Sequence, residues 1–177
     1  LQEKHFLNLH KGVNMILKRL FENQDLFIER ILIKEQKRLK LTNNQLLVLI
    51  GLFSLYKKQV FSLTAISRRV DLSTNDIGIT VDELIDKKLL SITLEQKDGK
   101  AREVFSLDQV FIELETLYIQ DQKVLEEAKN ESNISETISI FEQNLGKALS
   151  AHEMERIRNW YASGEFEHKR ILSLIEQ

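Results

Sequence analysis

The stretch from Thr42 to Ser106 places the strongest constraint on the fold, because helix and hairpin signals follow one another in it without a break. Its order predicts a helix, a short strand, a second helix, a tight turn, a third helix and a two-stranded hairpin. This order is typical of a winged helix-turn-helix. A fold of that kind does not by itself say what the domain binds.

The first helix of this stretch is predicted to begin at Thr42, which has capping-box spacing to Gln45. A wide apolar face then recurs at helical spacing, formed by Leu46, Leu47, Leu49, Ile50, Phe53 and Leu55. Val60, Phe61 and Leu63 form a short run that is rich in β-forming residues. This run predicts a small strand.

The second helix is predicted at 64–70, and the third is predicted to begin after a cap at Ser73. The inward face of the third helix is predicted from apolar residues at helical spacing, namely Ile77, Val81, Leu84 and Ile85. Its polar positions are predicted to be exposed, namely Ser73, Thr74, Asn75, Thr80, Asp82, Glu83 and Asp86.

A hairpin is predicted after the third helix, where Leu90, Ile92 and Leu94 alternate with polar residues. The turn from Lys97 to Lys100 contains Asp-Gly, which favours a tight hairpin loop. The hairpin would form the wing of the domain.

Apolar residues are also frequent before Thr42. They predict a helical segment at 1–24 with a possible break at Gly12, a strand at Leu26–Ile28 and a helix around Arg30–Leu39. Part of this surface could enlarge the core of a monomer, and part could join subunits, since large apolar patches mark association. The candidate subunit interface, in a dimer or a tetramer, comprises Phe6, Leu9, Ile16, Leu20, Phe21, Phe27 and Ile31.

After the hairpin, a short helix is predicted at Asp108–Tyr118, followed by a polar segment at 119–133. This segment is interpreted as a linker, with a continuous helix as the alternative because Lys, Glu and Ala favour helix. A helix at Ile134–Leu145 is then predicted to start at an Asn133 cap and to stop at Gly146. Two shorter helices would follow.

The expected organisation is a winged-helix oligomerisation domain at 1–118, a linker at 119–133 and a small helical domain at 134–177. The fold class is α+β, mainly α.

Composition indicates a soluble globular protein, with 42% hydrophobic and 29% charged residues. The absence of cysteine excludes disulfides and thiolate chemistry and fits a cytoplasmic protein. No apolar run approaches the roughly 20 residues that span a membrane. Residues 1–118 carry 18 Lys and Arg against 16 Asp and Glu, and residues 119–177 carry 7 against 11. Neither part is basic enough to predict nucleic-acid binding from its charge alone.

No residue pattern in the chain predicts an enzyme. The four histidines, His5, His10, His152 and His168, lack the i, i+4 spacing of a helical metal site. The six glycines stand singly, so no phosphate-binding loop is predicted. We therefore expect no catalytic residue, no metal and no cofactor, and we expect the function to be binding.

The third helix is poorly suited to read DNA. Asp82, Glu83 and Asp86 would face phosphate and repel it, and the helix has no arginine, the commonest base reader. Basic residues elsewhere could contact phosphate, and these candidate DNA contacts are Arg68, Arg69, Lys87, Lys88, Lys97, Lys100 and Arg102.

Two parts of the chain resemble DnaD-type primosomal proteins. The run DLFIERILIKEQKRLKLTNNQLLVLIGLF resembles the start of that family, with Leu39 and Leu41 at its "LxL" step. ISRRVDLSTNDIGITVDELIDKKLLSI resembles the helix-turn-helix that follows in the family. The start of the family's second, helical domain is matched at Phe141, Glu142, Leu145, Gly146, Leu149, Ser150, Glu153, Trp160 and Phe166.

This resemblance implies a replication initiation and restart protein that acts as an oligomeric scaffold in primosome assembly and helicase loading. Its partners would be itself, other primosomal proteins and DNA, bound without strict sequence preference through the helical domain and a following tail. Residues 134–177 would be the opening of that domain. Glu29 departs from the family's usual proline. The alternative is a winged-helix transcription regulator that binds one DNA sequence.

Overall fold

The computed structural model describes residues 15–97, 99–164 and 166–175. Within these ranges the chain is a mainly helical α+β protein with a two-stranded antiparallel sheet, as predicted. Its contacts form two compact units, the first ending at Tyr118 and the second beginning at Ile119. No helix in the described ranges is both long and apolar enough to cross a membrane.

The first unit contains five helices in the described residues, α1 Ile16–Glu22, α2 Ile28–Glu35, α3 Asn43–Leu55, α4 Leu63–Ser67 and α5 Thr74–Asp86. Two strands follow, β1 Ser91–Lys97 and β2 Lys100–Ser106. The remaining helices are α6 Asp108–Leu145, α7 Ala151–Ser163 and α8 His168–Ile175. The predicted order of three helices followed by a hairpin is therefore present.

The helices that follow the predicted caps begin at the expected residues. The Thr42 hydroxyl accepts from the Gln45 amide at 3.2 Å, and the Gln45 side-chain oxygen accepts from the Thr42 amide at 3.2 Å. The Ser73 hydroxyl accepts from the Asp76 amide at 3.1 Å. Both caps satisfy backbone donors that a helix N-terminus leaves without a partner.

The hairpin pairs Ser91 with Ser106 and Lys97 with Lys100, and Gly99 has the positive φ of 73° that such a turn requires. The strand predicted at Val60–Leu63 is wrong in its length, because it is reduced to a single bridge between Val60 and Val104. The strand cannot extend beyond this bridge because Ser62 is already the N-cap of α4. Its hydroxyl accepts from the Ala65 amide at 3.3 Å.

The strand predicted at Leu26–Ile28 is wrong. Phe27 is extended, with φ −92° and ψ 91°, but it is the N-cap of α2. Ile28 and Leu32 lie four residues apart on α2 and are both fully buried, so helical packing decides the conformation here. The helix predicted around Arg30–Leu39 is accordingly displaced to Ile28–Glu35.

The core of the first unit is centred on an aromatic cluster. Phe21 of α1, Phe53 and Tyr56 at the end of α3, and Phe111 of α6 have ring centroids between 5.2 and 6.2 Å apart. Phe111 is fully buried and contacts the other three rings. The cluster therefore joins α1, the end of α3 and the start of α6, the helix that follows the hairpin.

The helix α6 is much longer than predicted, at 38 residues. The predicted helix end at Tyr118 and the predicted cap at Asn133 are wrong, because both residues lie inside α6. Residues 108–145 contain neither glycine nor proline, and their many Glu, Lys, Gln and Leu residues favour helix. The helix ends at Gly146, with φ 63°, as predicted. Whether residues 119–133 connect two domains stays a prediction.

The second unit has a smaller core. Ile134 of α6, Leu149 before α7 and Ile157 of α7 are buried together, with Phe141 and Trp160 packed against them. The predicted capping box opens α7, since the Ser150 hydroxyl accepts from the Glu153 amide at 3.4 Å and the Glu153 carboxylate accepts from the Ser150 amide at 2.8 Å. The predicted end of α7 at Gly164 is confirmed by its left-handed conformation, φ 66°.

Replacement of Phe111 by alanine should destabilise the first unit by about 3–5 kcal/mol, because the ring is removed from a closed aromatic cluster and leaves a cavity. Leu94→Ala is the control, since Leu94 is 75% exposed and its loss should change stability by less than about 0.5 kcal/mol. Urea unfolding followed by near-ultraviolet circular dichroism measures both. Equal effects of the two substitutions would contradict the central position of Phe111.

Candidate interaction surfaces

Helix α5, which was predicted as the third helix of a winged helix-turn-helix, presents an acidic face to solvent. Ile77, Val81 and Leu84 are buried against the core, while Asp82, Glu83 and Asp86 are exposed. This placement of the three carboxylates agrees with the prediction from the helical spacing.

Two side chains of α5 differ from the prediction. Thr80 was predicted to be exposed, but it is 2% exposed and its hydroxyl donates to the Asp76 carbonyl at 2.7 Å. The small hydroxyl can turn back onto the backbone four residues earlier, which lets the residue be buried. Ile85 was predicted to face inward but is 38% exposed, and Ile79 is 53% exposed.

A polar network fixes the C-terminal end of α5 to the start of α3. The buried Gln45 donates to the Glu83 carboxylate at 2.7 Å. The Lys87 ammonium donates to the side-chain oxygen of Gln45 at 2.7 Å and to the carbonyl of Lys40 at 2.6 Å. Lys87, a predicted DNA contact, is therefore engaged within the fold.

The other predicted DNA contacts lie at separate places on the first unit. Arg68 and Arg69 are exposed at the end of α4, where Arg69 donates to the Ala65 carbonyl at 3.0 Å. Lys88 is exposed just after α5. These residues come from separate elements of the first unit, and DNA contact by them stays a prediction.

On the hairpin, Lys97 and Lys100 are exposed beside the turn. Arg102 is half-buried, and its guanidinium lies 3.5 Å from the Glu95 carboxylate of the opposite strand. Its Nε is buried without a hydrogen-bond partner among the described residues. Only Lys97 and Lys100 of these three therefore present an uncommitted charge to solvent.

The predicted subunit interface divides into packed and exposed residues. Leu20 is half-buried, and Phe21 and Ile31 pack against the core of their own chain. Phe27 is 71% exposed and Ile16 is 46% exposed. Ile33, which follows Phe27 by six residues in the sequence, is 58% exposed. Phe6 and Leu9 lie outside the described residues.

A groove of about 520 Å³ is lined by Phe27 together with the apolar residues Phe21, Leu26 and Phe53. Tyr56 lies in this groove and donates its hydroxyl to the Glu22 carboxylate at 3.1 Å. Burial raises the pKa of Tyr56 well above its usual value, and the hydrogen bond to Glu22 raises the pKa further. The phenol is therefore a protonated donor at physiological pH.

The motif residues of the second unit take structural roles. Gly146 ends α6, Leu149 is buried, and the rings of Phe141 and Trp160 lie 6.2 Å apart. Ser150 and Glu153 form the capping box of α7. Leu145 and Phe166 remain exposed, by 52% and 41% respectively.

A hydrogen-bonded cluster in the second unit was missed by the sequence analysis. The Tyr161 hydroxyl lies 2.7 Å from the hydroxyl of buried Thr137 and 2.7 Å from Nδ1 of His168. The other ring nitrogen of His168 lies 3.1 Å from the Glu136 carboxylate. These residues come from three helices, so their spacing along the chain carries no signal. The cluster attaches α8 to α6 and α7.

No group of described His, Asp or Glu residues has an arrangement that could hold a metal ion.

Ser150→Ala should lower the stability of the second unit by about 1 kcal/mol, because the side-chain cap of α7 is lost. Hydrogen bonds from the Ser150 hydroxyl and amide lower the pKa of Glu153. The stabilisation they provide is complete above the pKa of an unfolded glutamate, about 4.3, and is lost as the pH falls further through the lower pKa of the folded state. The difference between wild type and variant should therefore be larger at pH 7 than at pH 3.

Fluorescence of Trp160, the single tryptophan of the chain, follows the unfolding of this unit. Ser132→Ala is the control, since Ser132 is exposed in the interior of α6. A difference for Ser150→Ala that is unchanged between the two pH values would contradict the role of the ionised carboxylate.

The sequence matches a known protein family. The family model of the DnaD N-terminal domain matches residues 28–127, from the start of α2 into α6. A comparison with curated proteins returned no match. The matched segment contains helices α3, α4 and α5, the hairpin of β1 and β2, and the acidic face of α5. Because the match covers more than half of the residues, this chain belongs to the family of the DnaD N-terminal domain.

Proposed function

We propose that the chain is a self-associating scaffold of DNA replication initiation or restart, which assembles the primosome and positions the helicase-loading machinery. Membership of the DnaD family supports a role in replication. In this proposal the first unit is a winged helix-turn-helix used mainly for protein contacts, and the second unit is the opening of the family's helical domain. Function is then binding and assembly, without catalysis.

The self-association proposal rests mainly on the exposure of Phe27. Burial of an aromatic side chain of this size contributes roughly 2–3 kcal/mol, yet Phe27 is 71% exposed in a single chain. Ile33 and Ile16 are also about half exposed or more, at 58% and 46%. We refer to Ile16, Phe27 and Ile33 as the N-terminal apolar surface. A second copy that covers it would bury all three.

The groove beside Phe27 suits a symmetric dimer. A two-fold interface brings the same patch of both copies together, so the patch must be complementary to itself. Phe27 is 71% exposed and lines the groove together with Phe21, Leu26 and Phe53. We propose that Phe27 of each copy enters this groove of the other.

Contact with DNA is proposed to be weak and indifferent to sequence. The acidic face of α5 opposes entry of this helix into a groove between phosphates. Arg68, Arg69, Lys97 and Lys100 are exposed and can approach phosphate without reading bases. Binding of this kind weakens steeply with added salt, because it depends on the release of counterions.

The proposed partners are thus a second copy of the chain, other primosomal and helicase-loading proteins, and DNA.

Light scattering at increasing protein concentration tests the self-association. The wild type should show a mass that rises to that of a dimer or a larger assembly. Phe27→Ser and Ile33→Ser should each shift the transition to about tenfold or higher concentration, because each removes apolar surface from the interface. Leu94→Ser is the matched control, since Leu94 is equally exposed but lies on the hairpin.

A monomeric wild type at tens of micromolar would contradict the scaffold proposal. An equal effect of Leu94→Ser would contradict the choice of surface.

The alternative function, a winged-helix transcription regulator, is distinguished by competition with random duplex DNA in a gel shift. A regulator prefers one operator, and each wrong base pair costs it about 1–3 kcal/mol. The scaffold should instead be displaced equally by random duplex and by any single sequence. Persistent preference for one sequence at physiological salt would favour the regulator.

A further inference from the structure

The solvent face of α5 combines carboxylates with an exposed aliphatic side chain. Asp76, Ile79, Glu83 and Asp86 recur at i, i+3, i+7 and i+10, which places them along one side of the helix. Asp82 lies next to this row. Ile79 is 53% exposed in the middle of it. We call these five residues the α5 face.

The α5 face also borders a groove, which is an observation separate from its charge. A groove of about 360 Å³ runs between α5 and the first turn of α3, so the α5 face is one wall of a concave surface. Its lining residues include Asn43, Asn44, Asp76, Ile79 and Glu83. A concave surface with an aliphatic side chain in its wall can accept an apolar side chain from outside.

The carboxylates of the α5 face are not neutralised by cations. Among the described residues, no ion pair within 4.0 Å includes Asp76, Asp82, Glu83 or Asp86. Elsewhere in the same unit, Asp108 pairs with Lys18 at 2.7 Å. A charged partner from outside is therefore the available way to neutralise the face.

The nearest lysine in the sequence, Lys87, does not neutralise these carboxylates. The ammonium of Lys87 donates to the side-chain oxygen of Gln45 and to the carbonyl of Lys40, both of which are neutral acceptors. With Lys87 counted, the four carboxylates still leave the surface strongly negative.

We infer that the α5 face is a docking surface for a basic segment of another protein, in which an aliphatic side chain lies between lysines or arginines. The aliphatic side chain contacts Ile79 in the groove, and the flanking cations pair with Asp82 and Asp86. This surface is distinct from the N-terminal apolar surface. A nucleic acid and the same face of a second copy are both disfavoured, because each would bring negative charge against the carboxylates.

The experiment uses the whole chain and a short fluorescein-labelled peptide of alternating leucine and lysine pairs as the probe. Fluorescence anisotropy should show saturable binding, and Ile79→Ser and the double substitution Asp82→Asn/Asp86→Asn should each weaken it by about tenfold. These residues have no described hydrogen bond through their side chains, so the variants should fold normally.

Matched controls separate this surface from others. Leu94→Ser removes an exposed aliphatic side chain of the hairpin, and Glu126→Gln/Glu127→Gln removes an exposed acidic pair of the second unit. Both control variants should bind the lysine peptide as the wild type does. A peptide with glutamate in place of lysine and one with serine in place of leucine should bind at least about tenfold more weakly than the lysine–leucine peptide.

The inference would be overturned by the absence of saturable binding of the lysine peptide, or by equal weakening in the control variants. A fall in oligomer mass caused by Ile79→Ser without peptide would also overturn it, because the face would then be covered by a second copy. Failure of the self-association proposal is recognised separately, by the behaviour of Phe27→Ser.

Discussion

The first unit depends on the packing of four aromatic rings from three helices that are distant in the chain. Phe21, Phe53, Tyr56 and Phe111 meet edge to face or tilted, the arrangement that aromatic quadrupoles favour, apart from one stacked pair. Around them, the Lys18 ammonium pairs with Asp108 at 2.7 Å, so charge supports the same contact between α1 and α6. The described part of the N-terminal segment, residues 15–41, is thereby packed into the first unit, while Ile16, Phe27 and Ile33 in it stay exposed.

This attachment has a consequence for function. The aromatic cluster holds α1 against α3 and α6, and Ile28 and Leu32 anchor α2 in the same core, whereas Phe27 between these two helices is 71% exposed. The carboxylates of Asp82 and Asp86 on α5 are exposed and have no ion-pair partner among the described residues, and charges of this sign repel phosphate. The exposed apolar residues and the acidic α5 both support the proposal that this domain is used mainly for protein contacts.

Local signals in the sequence were sufficient for the helix starts and the hairpin, because caps such as Thr42–Gln45 and the Asp-Gly turn depend on neighbours three residues apart or fewer. Elements that depend on distant contacts were less predictable. The extent of α6 was misjudged because Asn133 has a cap-like neighbour at Glu136, whereas uninterrupted helix propensity prevails. The cluster around His168 joins three helices and has no local signature. For the candidate surfaces, the pattern predicted the acidic face of α5, but only packing shows that Phe21 turns inward and Phe27 does not.

The central claim is that copies of the chain meet through the surface around Phe27. Hydrogen–deuterium exchange measured at low and high protein concentration tests this claim most directly, since it reports which backbone amides become protected when copies associate. The account predicts that concentration slows exchange in peptides covering residues 26–34, while peptides covering α5 exchange at the same rate. Exchange that is independent of concentration at 26–34, or protection that appears on α5 instead, would contradict it.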